Sequence, residues 1–223
     1  MNCELDHVFV CVSVGGEEAS ALTAFGLNEG PPNVHPGQGT ACRRFFFANS
    51  YLELVWVSDI DEVQAELIQA TQLWERWKNR TNGACPFGLG FGSKGEYDSG
   101  APFSTWEYRP PYLPTPLSLQ IATSVGILTE PMLFYLPSQL RPRGNSGAKH
   151  SPMMHRVALR ELTRVELFGP QMDALSPEIT TVTRLGLVQL SQGPEYLAEL
   201  GFDGESQGQQ ADFRPSLPLV FRW

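Results

Sequence analysis

The chain has 223 residues, 42% apolar and 11% aromatic, enough to close a sizeable core and to exclude global disorder. Charged residues are only 18% and the formal charge is −8, which argues against a general nucleic-acid binder with a basic surface. No apolar run approaches the roughly 20 residues of a membrane span. No basic segment followed by an apolar stretch opens the chain, so no secretory leader is expected. The four cysteines, Cys3, Cys11, Cys42 and Cys85, form no CxxC pair and read as reduced thiols of a cytoplasmic protein.

Residues 4–13 predict a Val-rich strand ended by Gly15-Gly16, and residues 17–25 a short helix that Gly26 can cap. A loop rich in glycine and proline, including His35-Pro36-Gly37-Gln38-Gly39-Thr40, leads to two strand signals at 41–48 and 51–57. Only Asn49-Ser50 separates them, which predicts a tight hairpin with Phe46 opposite Glu53 and Arg44 opposite Val55. Between Asp59 and Arg80, apolar residues recur at three- and four-residue steps and predict one helix. Residues 81–116 are rich in glycine, proline and aromatics, and Trp106, Tyr108 and Tyr112 are candidates for an aromatic lid or a satellite core. Strands are expected at 117–125 and 131–136, followed by a basic linker over 137–152. The remainder predicts a strand at 158–168, a helix at 176–184 opened by Ser-Pro, and strands at 185–190, 195–202 and 217–222.

Both halves thus read strand–helix–strand–strand–strand. The expected fold is α+β, two βαβββ modules whose curled mixed sheets form a cleft. The expected division is a first module with its connecting helix at 1–80, a central extension at 81–155 and a second, degenerate module at 156–223.

Side chains alternate across a strand, so parity assigns faces. Val8, Val10 and Val12 form one apolar face, which should pack on a helix, while His7 lies on the other. Glu53 falls on the same side of its own strand as Tyr51. Arg44 joins that side through the hairpin, giving an apolar-lined surface with a few polar heads, as small-molecule sites are. A carboxylate within Tyr51-Leu52-Glu53-Leu54-Val55-Trp56-Val57 requires compensation by a metal, an arginine or water. The loop at 35–40 lacks the Lys-Ser/Thr and the long following helix of a phosphate cradle, so no nucleotide cofactor is expected. It reads as a rim loop, with His35 either a contact or part of a turn.

Leu5-Asp6-His7-Val8, the 35–40 loop and Tyr51-Leu52-Glu53-Leu54-Val55, in that order, resemble the glyoxalase-like branch of the vicinal oxygen chelate superfamily. The resemblance covers residues 4–58 well and 156–223 mainly through strand order. It implies metal ligands from the first and last strands of each module, which His7 and Glu53 match in the first. In the second module Arg164 and Pro218 stand where two further ligands belong. A divalent metal (Mn, Fe, Ni or Zn) would then bind through His7, Glu53 and a third ligand, Glu166, His35 or His150. Without a metal, Arg164 and Arg44 would grip an anionic substrate, with His7 or Glu53 as the acid or base and His35, Phe46 and Tyr51 as further contacts. Arg164 and Glu166 would equally form a structural ion pair. The resemblance implies a lyase, isomerase or dioxygenase-like enzyme acting on a small oxygenated, anionic metabolite, and leaves room for a homodimer. The competing reading is a metal-free protein that binds or sequesters a small molecule. Neither nucleic acid nor membrane is expected as a partner.

Overall fold

The computed structural model describes residues 3–94, 98–140 and 154–223. His150, the alternative third ligand, lies outside them.

The first strand, β1 (Cys3–Cys11), is followed by helix α1 (Ala19–Phe25) and strands β2 (Asn33–His35), β3 (Thr40–Phe46) and β4 (Tyr51–Val57). Strand β4 returns to pair in parallel with β1, which completes a βαβββ unit. The hairpin between β3 and β4 differs from expectation by two residues. Arg44 faces Glu53 and Phe46 faces Tyr51, because the connection is the four-residue loop 47–50, closed by the Phe47 N–H donating to the Ser50 carbonyl. The Asn49 side chain and the Ala48 N–H both bond backbone at 160–162, so the loop is used as an anchor rather than a free turn. A shift of two preserves the parity of every side chain, so the faces stay as read from the sequence.

The expected helix over 59–80 is three short pieces: α2 (Ile60–Val63), α3 (Glu66–Gln69) and α4 (Leu73–Lys78). The chain leaves helical geometry at Ala65 (ψ 146) and at Gln72 (φ 56). Each piece nonetheless buries one side: Val63, Ile68 and Leu73 join the same apolar cluster.

Strand β5 (Phe87–Ser93) pairs antiparallel with β1. After it come β6 (Thr105–Tyr108), β7 (Leu119–Ala122) and β8 (Met132–Leu136), and β8 pairs in parallel with β5 as β4 does with β1. The eight strands form one curled sheet in the order β2-β3-β4-β1-β5-β8-β7-β6. The unit that mirrors the first module in this sheet is therefore 87–136, the stretch read from sequence as an extension.

Residues from 162 onward build a separate five-stranded sheet. It comprises β9 (Leu162–Gly169), β10 (Gln189–Gln192), β11 (Leu197–Phe202), β12 (Gln210–Asp212) and β13 (Leu219–Arg222), with α5 (Pro177–Arg184) between β9 and β10. Its order, β10-β9-β11-β13-β12, is not that of a βαβββ module, because β11 rather than the last strand lies beside β9. Helix α5 begins as expected, with the Ser176 side chain accepting from the Ile179 N–H and Pro177 in the first turn.

The convex face of the large sheet carries Val8, Val10, Leu52, Leu54, Phe87 and Leu89. It packs on α1 and on Val165, Leu167, Leu200 and Phe221 of the small sheet. The concave face carries a second cluster, including Phe9, Val55, Ile121, Met132 and Phe134, under α2–α4. The apolar face of β1 thus meets a sheet as well as the expected helix, and the opposite face opens into the hollow of the half-barrel. No helix among the described residues is long and apolar enough to cross a membrane.

Candidate functional site

The hollow holds a cavity of about 210 Å3, bounded by both modules of the large sheet and by residues 112–113 and 140. The two far edges of the sheet meet over it. The Tyr108 hydroxyl donates to Gln38 Oε1 (2.8 Å), and the His35 and Tyr112 rings lie 4.8 Å apart. Gly37 sits so close to Pro111 that a Cβ there would lie 2.6 Å from the proline ring, at a φ of 78 that only glycine adopts easily.

His7 and Glu53 are both buried, at 4% and 7% exposure, and both face this cavity. His7 Nε2 lies 3.9 Å from Glu53 Oε2, and His7 Nδ1 lies 2.8 Å from Asp6 Oδ2. Neighbours in a regular strand point to opposite faces, so the Asp6–His7 contact needs a local cause. The β1–β5 ladder shifts register between Leu5 and His7, which leaves Asp6 as the extra residue of a bulge. A bulge re-aims side chains in this way. An ionised Asp6 can only accept, so in the neutral imidazole Nδ1 carries the hydrogen and Nε2 presents a lone pair to the cavity.

The imidazole is held on its remaining sides. The Tyr51 ring stacks on it at 4.3 Å and the Phe134 ring meets it edge-on at 5.1 Å. Beneath it runs the backbone of Gly90, the residue opposite His7 in the ladder. On the other carboxylate oxygen of Glu53, the Cys42 thiol donates at 3.5 Å. That acceptor, together with burial, pushes the Cys42 thiol far above its usual range, with burial the larger cause. Burial also raises the Tyr51 and Tyr112 phenols well beyond the usual range, so both remain neutral donors.

Arg44 lines the cavity opposite Glu53, with Nε and Nη2 donating to the Pro31 carbonyl and the guanidinium 5.2 Å above the Phe46 ring. Phe46 itself packs against Tyr51 at 5.3 Å rather than lining the cavity. His35 lines it, with Nδ1 2.9 Å from Thr40 Oγ1 and Nε2 2.8 Å from Asn33 Nδ2. Burial lowers the His35 pKa, only partly offset by Glu53. Tyr108 and Tyr112 also line the cavity, whereas Trp106 packs at the margin of the concave cluster.

Arg164 and Glu166 are elsewhere. Both lie on β9 of the small sheet, where Arg164 pairs with Glu166 (2.8 Å), Glu199 (3.3 Å) and Glu205 (2.5 Å), and Ser191 donates to Glu166. Neither lines the cavity. The structural ion pair, one of the alternatives read from the sequence, is the arrangement found. The anion grip through two arginines is reduced to Arg44, and Glu166 does not join His7 and Glu53 as a metal ligand.

The strands that mirror β1 and β4 are β5 and β8. Their cavity-facing positions across from His7 and Phe9 are Gly90 and Gly88, and beyond these Phe134 and Met132. None of these offers a nitrogen or oxygen side-chain donor. Among the described residues no group of three His, Cys, Asp or Glu is placed to hold a metal. The donor set is half of the four-ligand arrangement that the resemblance implies, so the residues present do not fit a protein-closed chelate. The signal for this was in the sequence: Phe87-Gly88-Leu89-Gly90-Phe91-Gly92 alternates large apolar residues with glycine at a period of two.

A half-barrel of two mirrored modules, with a histidine from the first strand and a glutamate from the fourth facing the hollow, is the architecture of the vicinal oxygen chelate class. Residues 5–89 match the family model described as a glyoxalase-like domain. Among solved structures, the chain is similar to a crystal structure of a hypothetical protein from Staphylococcus aureus. That likeness has a TM-score of 0.57, 8% identity and coverage of 99% of each chain, and it shows the fold alone. No curated protein matches the chain.

Proposed function

We propose that this protein is a metal-independent enzyme that moves protons on a small oxygenated metabolite, an isomerase- or lyase-type activity. The observation that carries this reading is the Asp6–His7–Glu53 array at the floor of a cavity otherwise walled largely by hydrocarbon. His7 Nε2 is the base and Glu53 the second proton-handling group, close enough to act on neighbouring atoms of one bound molecule. Asp6 is a positioning residue: it selects the tautomer and stabilises the imidazolium that forms when Nε2 takes a proton. With a hydroxy-carbonyl compound, Nε2 takes the proton from the carbon next to the carbonyl. The enolate or enediol so formed is reprotonated at the same or the neighbouring carbon, with no net change in atoms or electrons. The buried, unbridged thiols Cys11, Cys42 and Cys85 suit a reducing compartment such as the cytoplasm.

The test is hydrogen exchange in D2O. A panel of 2-hydroxyketones and 2-oxo acids is incubated with the protein, and loss of the C–H signal is followed by proton NMR. At least one compound is expected to exchange in the native protein and to lose that exchange in both H7Q and E53Q. Binding without exchange, detected by thermal shift for several compounds, would replace this reading with the sequestering one.

A further inference from the structure

We infer that the natural ligand of this cavity is an uncharged compound with a single ring and a hydroxyl group that donates to Glu53 beside His7. The inference rests on the acid–base reading of the same site and adds the polarity, shape and charge of what it takes.

The first argument is hydrogen-bond balance. With Nδ1 donating to Asp6, His7 Nε2 is an acceptor, and the Glu53 carboxylate is acceptor-only. The two stand 3.9 Å apart, beyond direct hydrogen-bond reach, and both are buried. Two buried acceptors facing each other across such a gap call for a donor between them. A ligand hydroxyl supplies that donor: its hydrogen goes to Glu53, and the carbon that bears it lies beside the free lone pair of His7 Nε2.

The second argument is the division of the walls. The polar side chains on the cavity wall come almost wholly from the first module and its loop, whereas Leu119, Ile121, Met132, Phe134 and Leu136 of the second are hydrocarbon. Of the two hydroxyl-bearing side chains that the second module contributes, Tyr108 is bonded to Gln38, and Tyr112 lies with its ring against His35 at the first module's loop. A ligand therefore lies with its oxygenated end on β1 and β4 and an apolar end on β7 and β8. A volume of about 210 Å3 exceeds the roughly 150 Å3 of an apolar cavity that holds benzene by enough for a short oxygenated substituent.

The third argument is charge. Arg44 is the only Lys or Arg on the cavity wall among the described residues, and it stands in register opposite Glu53 with Asp6 behind His7. An anionic head would add a third negative charge to a site with one fixed positive charge.

The experiment measures equilibrium binding by ligand-observed NMR and calorimetry with four probes: 2-hydroxyacetophenone, hydroxyacetone, acetophenone and mandelate. 2-Hydroxyacetophenone is expected to bind at least about 10-fold tighter than each of the others. Hydroxyacetone binding equally well would overturn the ring, acetophenone the donor, and mandelate the lack of charge. L119W and L136W narrow the apolar end at partly buried positions. At least one folded variant, verified by its thermal transition, is expected to lose 2-hydroxyacetophenone at least 10-fold while hydroxyacetone changes less than 3-fold. An equal loss of both probes counts against the inference. Because binding is read without turnover, tight ring binding with no C–H exchange removes the catalytic reading and leaves this inference intact. Exchange confined to hydroxyacetone does the reverse.

Discussion

The imidazole of His7 rests on Gly90. A Cβ at position 90 would lie 2.7 Å from His7 Cε1, 2.9 Å from Nδ1 and 3.0 Å from the Phe134 ring. One strand to the side of the proposed base, the mirrored module contributes no ligand but a bare stretch of backbone on which the ring lies. Gly90→Ala is therefore expected to push the imidazole away from Asp6 or Glu53. Proton exchange should fall at least 10-fold while the protein stays folded. Gly88→Ala is the comparison variant one step along the strand, where the Cβ would lie 2.0 Å from the Phe9 ring and its nearest contacts are all with that ring rather than with His7. It is expected to lower stability by about 1–3 kcal/mol. Thermal unfolding and D2O exchange on both variants separate the two effects, and an active G90A protein would show that the imidazole does not depend on this seat.

The residues that form the site were legible where a local rule governs them. Parity along β1 and β4 put His7, Tyr51 and Glu53 on one face, and the same rule survived a hairpin register that differed by two residues. What sequence could not supply was which distant strands pair. Taking 156–223 as the mirrored module led to Arg164 and Pro218 as the counterparts of the metal ligands, whereas the ladder makes β5 and β8 the counterparts. Glycine at alternate positions of β5 reads as loop composition, although here glycine is what lets the Phe9 and His7 rings cross the strand. The Asp6 bulge depends on β5 as well, so the Asp6–His7 contact was out of reach of a strict two-residue period.

Two histidines make acid destabilising. Burial holds the pKa of His35 below its ordinary value of 6.5, and burial does the same to His155 despite its bond to the Phe46 carbonyl. The unfolded chain binds these protons more readily than the folded one. Their effect is absent well above pH 6.5, appears as pH falls through 6.5, and grows until the folded-state pKa is passed. At pH 5.5 His35 costs at most about 1.4 kcal/mol, and the half-exposed His155 less, because solvent screens it. The drop in Tm between pH 7.5 and 5.5 is expected to shrink in H35Q and in H155Q. A drop identical to that of the native protein in both variants would place the acid sensitivity elsewhere.

The thiols are expected to be inert in the folded protein. Burial pushes Cys11 up to about 12 and Cys85 up to about 11, and drives Cys42 beyond the range of any working pH. Thiolate, the reactive form, is then scarce at pH 8. Of the four cysteines only Cys3 is partly exposed. Titration with a chromogenic disulfide at pH 8 should count no more than one thiol in native protein and four in denaturant. Rapid labelling of a second thiol without denaturant would show that the core around Cys85 or the concave cluster around Cys11 and Cys42 opens readily.

Asp6 tests the tautomer argument most directly. Its carboxylate accepts from His7 Nδ1 at 2.8 Å, and that contact is what favours the lone pair on Nε2. Asp6→Asn keeps the size of the side chain while allowing its amide to donate to Nδ1, which turns the proton onto Nε2 and disables the base. The exchange rate at saturating ligand is expected to fall by about 10²–10⁴-fold, the scale seen when such an orienting carboxylate becomes an amide. Binding of an uncharged ring compound should change little, because Asp6 does not line the cavity. A purely structural Asp6 would instead lower Tm and weaken binding and rate together. The decisive reading is therefore the split between rate and affinity, with NMR of the imidazole nitrogens reporting the tautomer in native and variant protein.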